Sequence, residues 1–159
     1  MIKYTKGNII QADAEAIVNT VNTVGVMGKG IALAFKKAFP DNFKIYKKLC
    51  DEKKFDVGDL LITDTGQIGP KLIINFPTKK HWRSKSKMEY IEIGMKVLIK
   101  EIVQRNIKSI AIPPLGCGNG GLDWEKVKSL ILSELAPIED QIIATIYEPG
   151  YNDQFISVK

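Results

Sequence analysis

The sequence predicts a three-layer α/β/α fold, in which a mixed, mostly parallel central sheet lies between two layers of helices. The first observation is that short apolar runs alternate along the chain with segments of helical periodicity. The second is a pair of glycine-rich loops, 19–30 and 113–121, each of which follows an apolar run and leads into a helical pattern. Since such apolar strands are typically buried on both sides, helices are expected to cover both faces of the sheet.

The chain begins with two predicted strands and a helix. Ile2–Tyr4 is a short strand-like run, and Ala16–Asn19 is a second apolar run just before the first glycine-rich loop. Apolar residues then recur at near-helical spacing over 30–39, which predicts a helix. Pro40 is expected to end it, because proline cannot continue a helix.

The middle of the chain is predicted to contain a second helix and a pair of strands. Asp41 is a typical helix N-cap residue, and a helix is expected from there to about residue 52. The runs 59–63 and 71–76 are β-like and are separated by the turn-forming segment 64–67. They are therefore predicted to be consecutive strands.

The alternation continues in the second half of the chain. Amphipathic periodicity predicts a long helix over 86–105. A buried strand is expected at 109–112, a helix from Asp123 to about 135, and a last strand at 141–147. The residues predicted to form the inner face of the long helix are Ile91, Met95, Leu98 and Ile102.

Length and composition are those of one soluble globular domain. We expect the domain at 1–150 and a tail at 151–159 that leads into a C-terminal region outside this sequence. Of the 159 residues, 45% are hydrophobic and 26% are charged, and the net charge of +5 suits an anionic partner. Cys50 and Cys117 lack zinc-site spacing and His81 is the only histidine, so neither a metal nor a cofactor is expected. Without a signal peptide or an apolar run of about 20 residues, a cytoplasmic protein with no membrane contact is expected.

Both glycine-rich loops have the pattern of an anion site. Backbone N–H groups at a helix N-terminus point outward, and glycine lets a phosphate approach them closely. Two such loops on one sheet suit a diphosphate, which makes a nucleotide-type ligand the leading hypothesis. The alternative is that the glycines only make tight turns.

The first loop does not match the known nucleotide-binding motifs. The order Gly25-x-x-Gly28-x-Gly30 is the reverse of the Rossmann fingerprint. A P-loop would need glycine at position 23 and Ser or Thr at position 30, where this chain has Thr23 and Gly30.

Several segments together resemble the macrodomain family of ADP-ribose-binding modules, over essentially the whole chain. They are Gly7-Asn8-Ile9, Asn19-x-x-Asn22, Gly28-Lys29-Gly30-Ile31-Ala32 and Gly116-Cys117-Gly118. The longer strings 18–30, 75–83 and 114–124 resemble the DarG type. Members of that type are antitoxins that remove the ADP-ribose attached to thymidine in DNA by the toxin DarT.

The resemblance implies where ADP-ribose is held. Asn8 takes the adenine-binding position at which macrodomains have aspartate; it can still accept a hydrogen bond but carries no charge. Backbone N–H groups of 28–31 are expected to bind the diphosphate, 116–120 the second phosphate and distal ribose, and Asn22 the distal ribose. The complete implied set is Asn8, Ile9, Asn19, Thr20, Asn22, Val26, Met27, Gly28, Lys29, Gly30, Ile31, Thr78, Pro114, Leu115, Gly116, Cys117, Gly118, Asn119 and Gly120.

The pair Lys79-Lys80 carries the chemistry hypothesis. Adjacent side chains alternate, so only one of the two is expected to point into the site. A partly desolvated lysine near other cations has a lowered pKa and can act as a nucleophile at a sugar anomeric carbon or polarise the leaving base. The resemblance assigns the catalytic role to Lys79. The alternative from the residues alone is a solvated basic run over 79–87.

The acid/base partner of Lys79 stays open. A related eukaryotic class of lysine-dependent macrodomain hydrolases has an aspartate where this chain has Gly120, and the DarG pattern shares the glycine. Asp123 lies nearby but is interpreted as a helix cap. Water, a substrate phosphate or the neighbouring base remain candidates.

The segment 80–83 is predicted to contact DNA. A basic loop with an aromatic ring suits single-stranded DNA, because cations meet the backbone and the ring stacks on a base. Trp82 could equally belong to the core. Cys117 is interpreted as a small filler, since a nucleophilic cysteine needs a basic partner, and Trp124 as a core residue. The predicted DNA contacts are Lys80, His81, Trp82 and Arg83.

Three functions remain from the sequence. The resemblance favours a hydrolase that removes ADP-ribose from thymidine bases of single-stranded DNA. The alternatives are a module that binds ADP-ribose without cleaving it and a hydrolase of another ADP-ribose derivative, such as an acyl ester or a modified protein. The expected partners are ADP-ribose, ADP-ribosylated DNA and a DarT-type toxin, the last through the C-terminal region outside this sequence. The domain itself is expected to be a monomer.

Overall fold

The structure is a computed structural model that describes residues 1–150, so the predicted tail at 151–159 lies outside the described residues. Short 3-10 turns occupy Ile9–Gln11, Gly118–Gly120 and Ala136–Gln141. The strands are β1 (Ile2–Thr5), β2 (Ala16–Val21), β3 (Leu61–Asp64), β4 (Leu72–Pro77), β5 (Ser109–Ile112) and β6 (Ile143–Tyr147). The α-helices are α1 (Gly30–Ala38), α2 (Pro40–Asp51), α3 (Met88–Arg105) and α4 (Trp124–Leu135).

The six strands form one sheet in the order β1-β6-β5-β2-β4-β3. Neighbouring strands pair in parallel except β3 and β4, which are antiparallel and connected through the predicted turn at 64–67. This confirms the predicted mixed, mostly parallel sheet. The strands β5, β2 and β4 lie side by side, so their carboxyl ends meet at one edge.

Side chains of the central strands alternate between two cores, which explains why these strands are apolar throughout. On β2, Ala16 and Val18 pack in the core that α3 and α4 cover. The intervening Ile17 packs on the opposite face with Phe35 of α1. The inner face predicted for the long helix is confirmed, since its four apolar residues are at most 3% exposed.

Two helix starts differ from the sequence predictions. The backbone cap of α2 is Phe39, Pro40 occupies the first helical turn, and Asp41 lies inside that turn without acting as the cap. Proline is favoured there because its missing N–H would have no partner in any case. The long helix begins at Met88, two residues later than predicted, because Ser86 packs against the second glycine-rich loop.

Within the part of the chain that the structure describes, none of the helices has the length and apolar character needed to span a membrane.

Candidate functional site

A cavity of about 610 Å³ opens at the carboxyl ends of β5, β2 and β4. Loops that are distant in sequence form its wall together, because the three strands are parallel and adjacent. Its volume falls in the range of roughly 300–1,000 Å³ that is common for small-molecule sites. The lining residues are Thr20, Val21, Asn22, Val26, Gly28, Lys29, Gly30, Ile31, Ala32, Thr78, Lys79, Trp82, Arg83, Ser84, Lys85, Pro114, Gly116, Cys117, Gly118, Asn119, Gly120 and Pro149.

The first glycine-rich loop is held in shape by Asn22. Its side-chain Nδ2 donates to the carbonyl of Val26 at 2.8 Å, and its Oδ1 accepts from the backbone N–H of Val24 at 3.1 Å and of Val26 at 3.3 Å. The hydroxyl of Tyr46 on α2 lies 2.8 Å from both the side-chain and the backbone oxygen of Asn22. The amide predicted to face the distal ribose thus also organises the loop, and the second hydrogen on Nδ2 is the one it can offer a ligand.

The second glycine-rich loop turns tightly and packs against Ser86. Gly116 has a φ of +72°, a conformation that side-chain-bearing residues rarely adopt. The carbonyl of Gly120 accepts from the Ser86 N–H at 3.0 Å. A Cβ on Gly120 would overlap the Ser86 Oγ. A side chain at position 120 would therefore collide with Ser86, which gives a physical reason for glycine at this position.

Lys79 lines the cavity, whereas Lys80 is exposed and is not part of the wall. The Nζ of Lys79 donates to the carbonyl of Trp82 at 3.0 Å. Burial is the main cause that lowers the pKa of Lys79, and the positive charge of Lys29 lowers it further. Only one of the adjacent lysines faces the cavity, as predicted, and its environment increases the fraction of neutral amine at a given pH.

The electrostatic character of the cavity is positive. Four cationic side chains line it, and among the described residues no aspartate or glutamate belongs to the wall. Such a site attracts phosphate groups. The four cations are Lys29, Lys79, Arg83 and Lys85.

An aromatic side chain lies at the mouth of the cavity. Trp82 is 42% exposed, so it does not belong to the core. The guanidinium of Arg83 lies 4.5 Å from the centroid of its ring, and the ring of His81 stacks on it at 5.3 Å between centroids. Trp82 and Arg83 line the cavity, whereas Lys80 and His81 stay outside the wall.

Five residues of the predicted ADP-ribose set are not part of the cavity wall: Asn8, Ile9, Asn19, Met27 and Leu115. The Oδ1 of Asn8 accepts from the Ile10 N–H at 3.1 Å and caps the first 3-10 turn. Asn19 is fully buried and donates to Asn75 Oδ1 at 3.2 Å.

The remaining three lie in the apolar cores, at 3% exposure or less. Ile9 packs in the core that contains Phe35 of α1, Met27 in the core that contains Tyr46 of α2, and Leu115 in the core that α3 and α4 cover. These positions support the site from behind, and the structure does not bring their side chains into the wall.

Sequence reasoning missed several residues of the site. Val21, Ala32, Ser84, Lys85 and Pro149 also line the cavity. Lys85 belongs to the basic run 79–87, so its charge was a signal that could have placed it there. Tyr46 contacts the first glycine-rich loop and Ser86 contacts the second, both from outside the cavity wall. No sequence pattern marks either residue, because each reaches its loop only through the tertiary fold.

The environment of Cys117 does not activate its thiol, and Asp123 caps a helix, in agreement with the sequence interpretation. Burial, followed by the negative charge of Asp123, raises the pKa of the Cys117 thiol to about 11, so it is not an activated nucleophile. Asp123 caps α4 by accepting from the Lys126 N–H at 3.1 Å. Residues 1–150 contain no cluster of His, Cys, Asp and Glu side chains that could hold a metal ion.

The chain matches the family model of the macro domain over residues 18–131. It is 53% identical over 151 residues to the DNA ADP-ribosyl glycohydrolase of Mycobacterium tuberculosis, covering 94% of this chain and 43% of that protein. It is 48% identical over 159 residues to the protein of the same name from Thermus aquaticus, covering 99% of this chain and 44% of that protein. The chain thus spans less than half the length of these curated relatives.

Solved structures resemble the fold closely. The macrodomain of Mycobacterium tuberculosis DarG superposes with a TM-score of 0.92 at 52% identity, covering 94% of this chain and 99% of that one. Thermosipho africanus DarTG in complex with ADP-ribose has a TM-score of 0.84 at 29% identity, covering 98% of this chain and 46% of that one. The overall fold described above is therefore that of these solved structures.

Proposed function

The chain belongs to the macro domain family, and on that basis we propose that it removes ADP-ribose from thymidine bases of single-stranded DNA. Relatives that are 48–53% identical over nearly the whole chain carry the name DNA ADP-ribosyl glycohydrolase. The proposed reaction is hydrolysis of the N-glycosidic bond between the distal ribose and the thymine base. Its products are ADP-ribose and unmodified DNA.

The observation that carries this proposal is the environment of Lys79. Its amine lies in the cavity wall, is held by the carbonyl of Trp82, and has a lowered pKa. A module that only binds ADP-ribose has no need of such a lysine. The neutral amine is a nucleophile, whereas the protonated one is not.

In the proposed mechanism the glycine-rich loops hold the diphosphate and distal ribose with backbone N–H groups. Lys79 attacks the anomeric carbon of the distal ribose as the neutral amine. The electron pair of the broken C–N bond leaves with the thymine nitrogen, which takes up the proton that the attacking amine gives up. Water then displaces the lysine from the sugar: its hydroxyl becomes the anomeric hydroxyl, and its remaining proton restores the amine.

The exposed loop beside the cavity would hold the DNA. Trp82 offers an exposed ring to a base, and Arg83 and Lys85 offer positive charge to the phosphate backbone. The target thymine bears the ADP-ribose, so the base enters this mouth while the nucleotide moiety fills the cavity. A single strand suits this geometry because its bases are already unpaired.

The proposed partner in the cell is a DarT-type toxin whose modification this domain reverses. A relative 32% identical over 164 residues is a fusion of a DNA ADP-ribosyl transferase with a DNA ADP-ribosyl glycohydrolase. That fusion supports a paired role. We further propose that the domain acts as a monomer in the cytoplasm.

The decisive experiment uses a single-stranded oligonucleotide that carries ADP-ribose on one thymine. Wild type, Lys79→Ala and a matched control, Lys100→Ala on the exposed face of α3, are incubated with it and followed by gel shift. Wild type and Lys100→Ala should remove the modification, and Lys79→Ala should be slower by at least about a hundredfold.

Binding of free ADP-ribose, measured by calorimetry, separates the outcomes. Retained binding by Lys79→Ala with lost cleavage supports the proposed role. Binding by wild type without any cleavage would identify a reader instead of a hydrolase. Equal cleavage by wild type and Lys79→Ala would leave the enzyme but remove Lys79 from its mechanism.

A further inference from the structure

The backbone around Lys79 is held by an extension of the β2–β4 pairing beyond the ends of both strands. The Thr78 N–H donates to the carbonyl of Val21 at 2.9 Å. Two residues further on, the carbonyl of Lys80 accepts from the Thr23 N–H at 3.1 Å and from the Thr23 Oγ1 at 2.8 Å. Lys79 therefore lies between two backbone tethers, one hydrogen bond at Thr78 and one at Lys80. The tether at Lys80 is doubled, because the side-chain hydroxyl of Thr23 bonds to the same carbonyl as the Thr23 N–H.

Thr23, which provides both bonds to the Lys80 carbonyl, belongs to a loop that other hydrogen bonds hold in place. Thr23 follows Asn22, whose side chain organises the first loop through bonds to Val24 and Val26. Asn22 is in turn held by the buried Tyr46, which packs edge-on against the ring of Phe55. A bond from Thr23 to Lys80 thus connects the Lys79 segment to a loop that is already fixed.

We propose that Thr23 is a positioning residue that aims Lys79 into the cavity by holding the carbonyl of Lys80. This inference rests on the proposed function, in which Lys79 is the reacting group. Thr23 does not line the cavity. Its effect passes through one backbone carbonyl to the neighbouring residue.

Side-chain contacts alone do not fix the direction of Lys79. A lysine side chain has four rotatable bonds, and the contact of its Nζ with the Trp82 carbonyl lies in an exposed loop. A reacting atom displaced by about 1 Å can cost a large factor in rate. The backbone tethers on either side of Lys79 are therefore the means by which the fold limits where the amine can reach.

Two substitutions separate the hydroxyl from the rest of Thr23. Thr23→Val keeps the size and branching of the side chain and the backbone hydrogen bond, but loses the hydroxyl. Thr23→Ser keeps the hydroxyl and serves as the matched control. Single-turnover cleavage of the ADP-ribosylated oligonucleotide should slow about three- to tenfold in Thr23→Val, in keeping with the loss of one hydrogen bond. Thr23→Ser should retain the wild-type rate within about twofold.

Binding and stability show whether the effect is specific. Free ADP-ribose should bind all three proteins with dissociation constants within about twofold of each other, because the loop glycines remain in place. A slower rate with unchanged affinity supports positioning. A slower rate accompanied by weaker ADP-ribose binding, or by a Tm lowered by more than the few degrees that the loss of one hydrogen bond costs, would mean that the loop had collapsed, and would overturn the inference. Equal rates in wild type and Thr23→Val would overturn it as well.

A second readout keeps the test independent of the proposed activity. NMR titration of isotopically labelled lysine, with the Lys79 signal assigned through Lys79→Arg, measures the pKa of Lys79 in each protein. If wild type cleaves no DNA, the proposed function fails, and the titration then decides this inference. In that case a Lys79 pKa nearer the ordinary lysine value in Thr23→Val, but not in Thr23→Ser, supports positioning, and identical titrations overturn it.

Discussion

Replacing Gly120 with alanine tests how the second glycine-rich loop packs against the segment before α3. The added Cβ would overlap the Ser86 Oγ and lie 3.0 Å from the Ser86 Cβ. Ser86 is only 6% exposed, and its N–H donates to the Gly120 carbonyl, so it cannot move aside freely. The new methyl group must turn the Ser86 Oγ out of its position and, because the Ser86 Cβ is also close, move the loop and the segment before α3 apart.

The expected cost follows from this overlap. Inserting a methyl group into a packed site typically destabilises a protein by about 1–3 kcal/mol. Gly120 does not have a positive φ, so backbone strain adds nothing and a value near 2 kcal/mol is expected. For a chain of this length that corresponds to a Tm lowered by about 4–8 °C.

A double-mutant cycle in denaturant unfolding provides the assay. The Ser86 Oγ is buried without a hydrogen-bond partner among the described residues, so Ser86→Ala should be neutral or stabilising by about 1 kcal/mol. Ser86→Gly removes both colliding atoms, and combining it with Gly120→Ala should recover at least half of the loss. Gly28→Ala is the control, because its Cβ would meet nothing closer than 3.5 Å.

Two results would refute this reasoning. One is a Gly120→Ala protein as stable as wild type, which would mean that the loop accommodates a side chain. The other is a double mutant no more stable than Gly120→Ala alone, which would mean that Ser86 is not the obstacle. The control should stay within about 0.5 kcal/mol of wild type in unfolding free energy.

Three further predictions concern the cavity. Lys29→Met removes a positive charge that lowers the pKa of Lys79, and the Lys79 pKa should therefore rise. Because the neutral amine then forms only at higher pH, the pH–rate profile of DNA cleavage should shift to higher pH. Tyr46→Phe removes the hydroxyl bonded to Asn22 and should lower the unfolding free energy by about 1–2 kcal/mol and weaken ADP-ribose binding in calorimetry. Trp82→Ala should raise the KM for ADP-ribosylated DNA about tenfold, as loss of one stacked base would, and leave ADP-ribose affinity within about twofold.

Matched variants control these predictions. Lys85→Met also removes a cavity cation, but Lys85 is not a cause of the Lys79 shift, so the midpoint of the pH profile should stay in place. Tyr90→Phe, on α3 and outside the cavity, should not weaken ADP-ribose binding. An unmoved profile in Lys29→Met, full ADP-ribose affinity in Tyr46→Phe, or an unchanged KM in Trp82→Ala would each contradict the corresponding prediction.

Much of the fold could be predicted because its signals are local. The inner face of α3 follows from residues three and four apart in sequence, and all four of them are buried. The cap of α4 follows from Asp123 alone, since an aspartate oxygen reaches the first-turn N–H groups. Helix starts were less certain, as Asp41 and Ser86 show, because several neighbouring residues compete for the cap position.

The candidate site was predicted only in part. The glycine-rich loops were recognised, and most of their predicted residues line the cavity. Asn19 and Leu115 were placed with them because they belong to the same sequence strings, but both are fully buried. Sequence adjacency does not say on which side of a strand end or loop a side chain falls. That choice depends on the alternation of the strand and on what packs behind it.

The sequence by itself determined the class of fold, the two glycine-rich loops and the lysine pair, because periodicity, glycine content and charge are properties of short segments. The tertiary structure decided which of Lys79 and Lys80 enters the cavity, that Trp82 stays exposed, and that Tyr46 supports the first loop. Burial and electrostatic perturbation depend on neighbours in space. Those neighbours come from three parallel strands that bring distant loops to a single edge of the sheet.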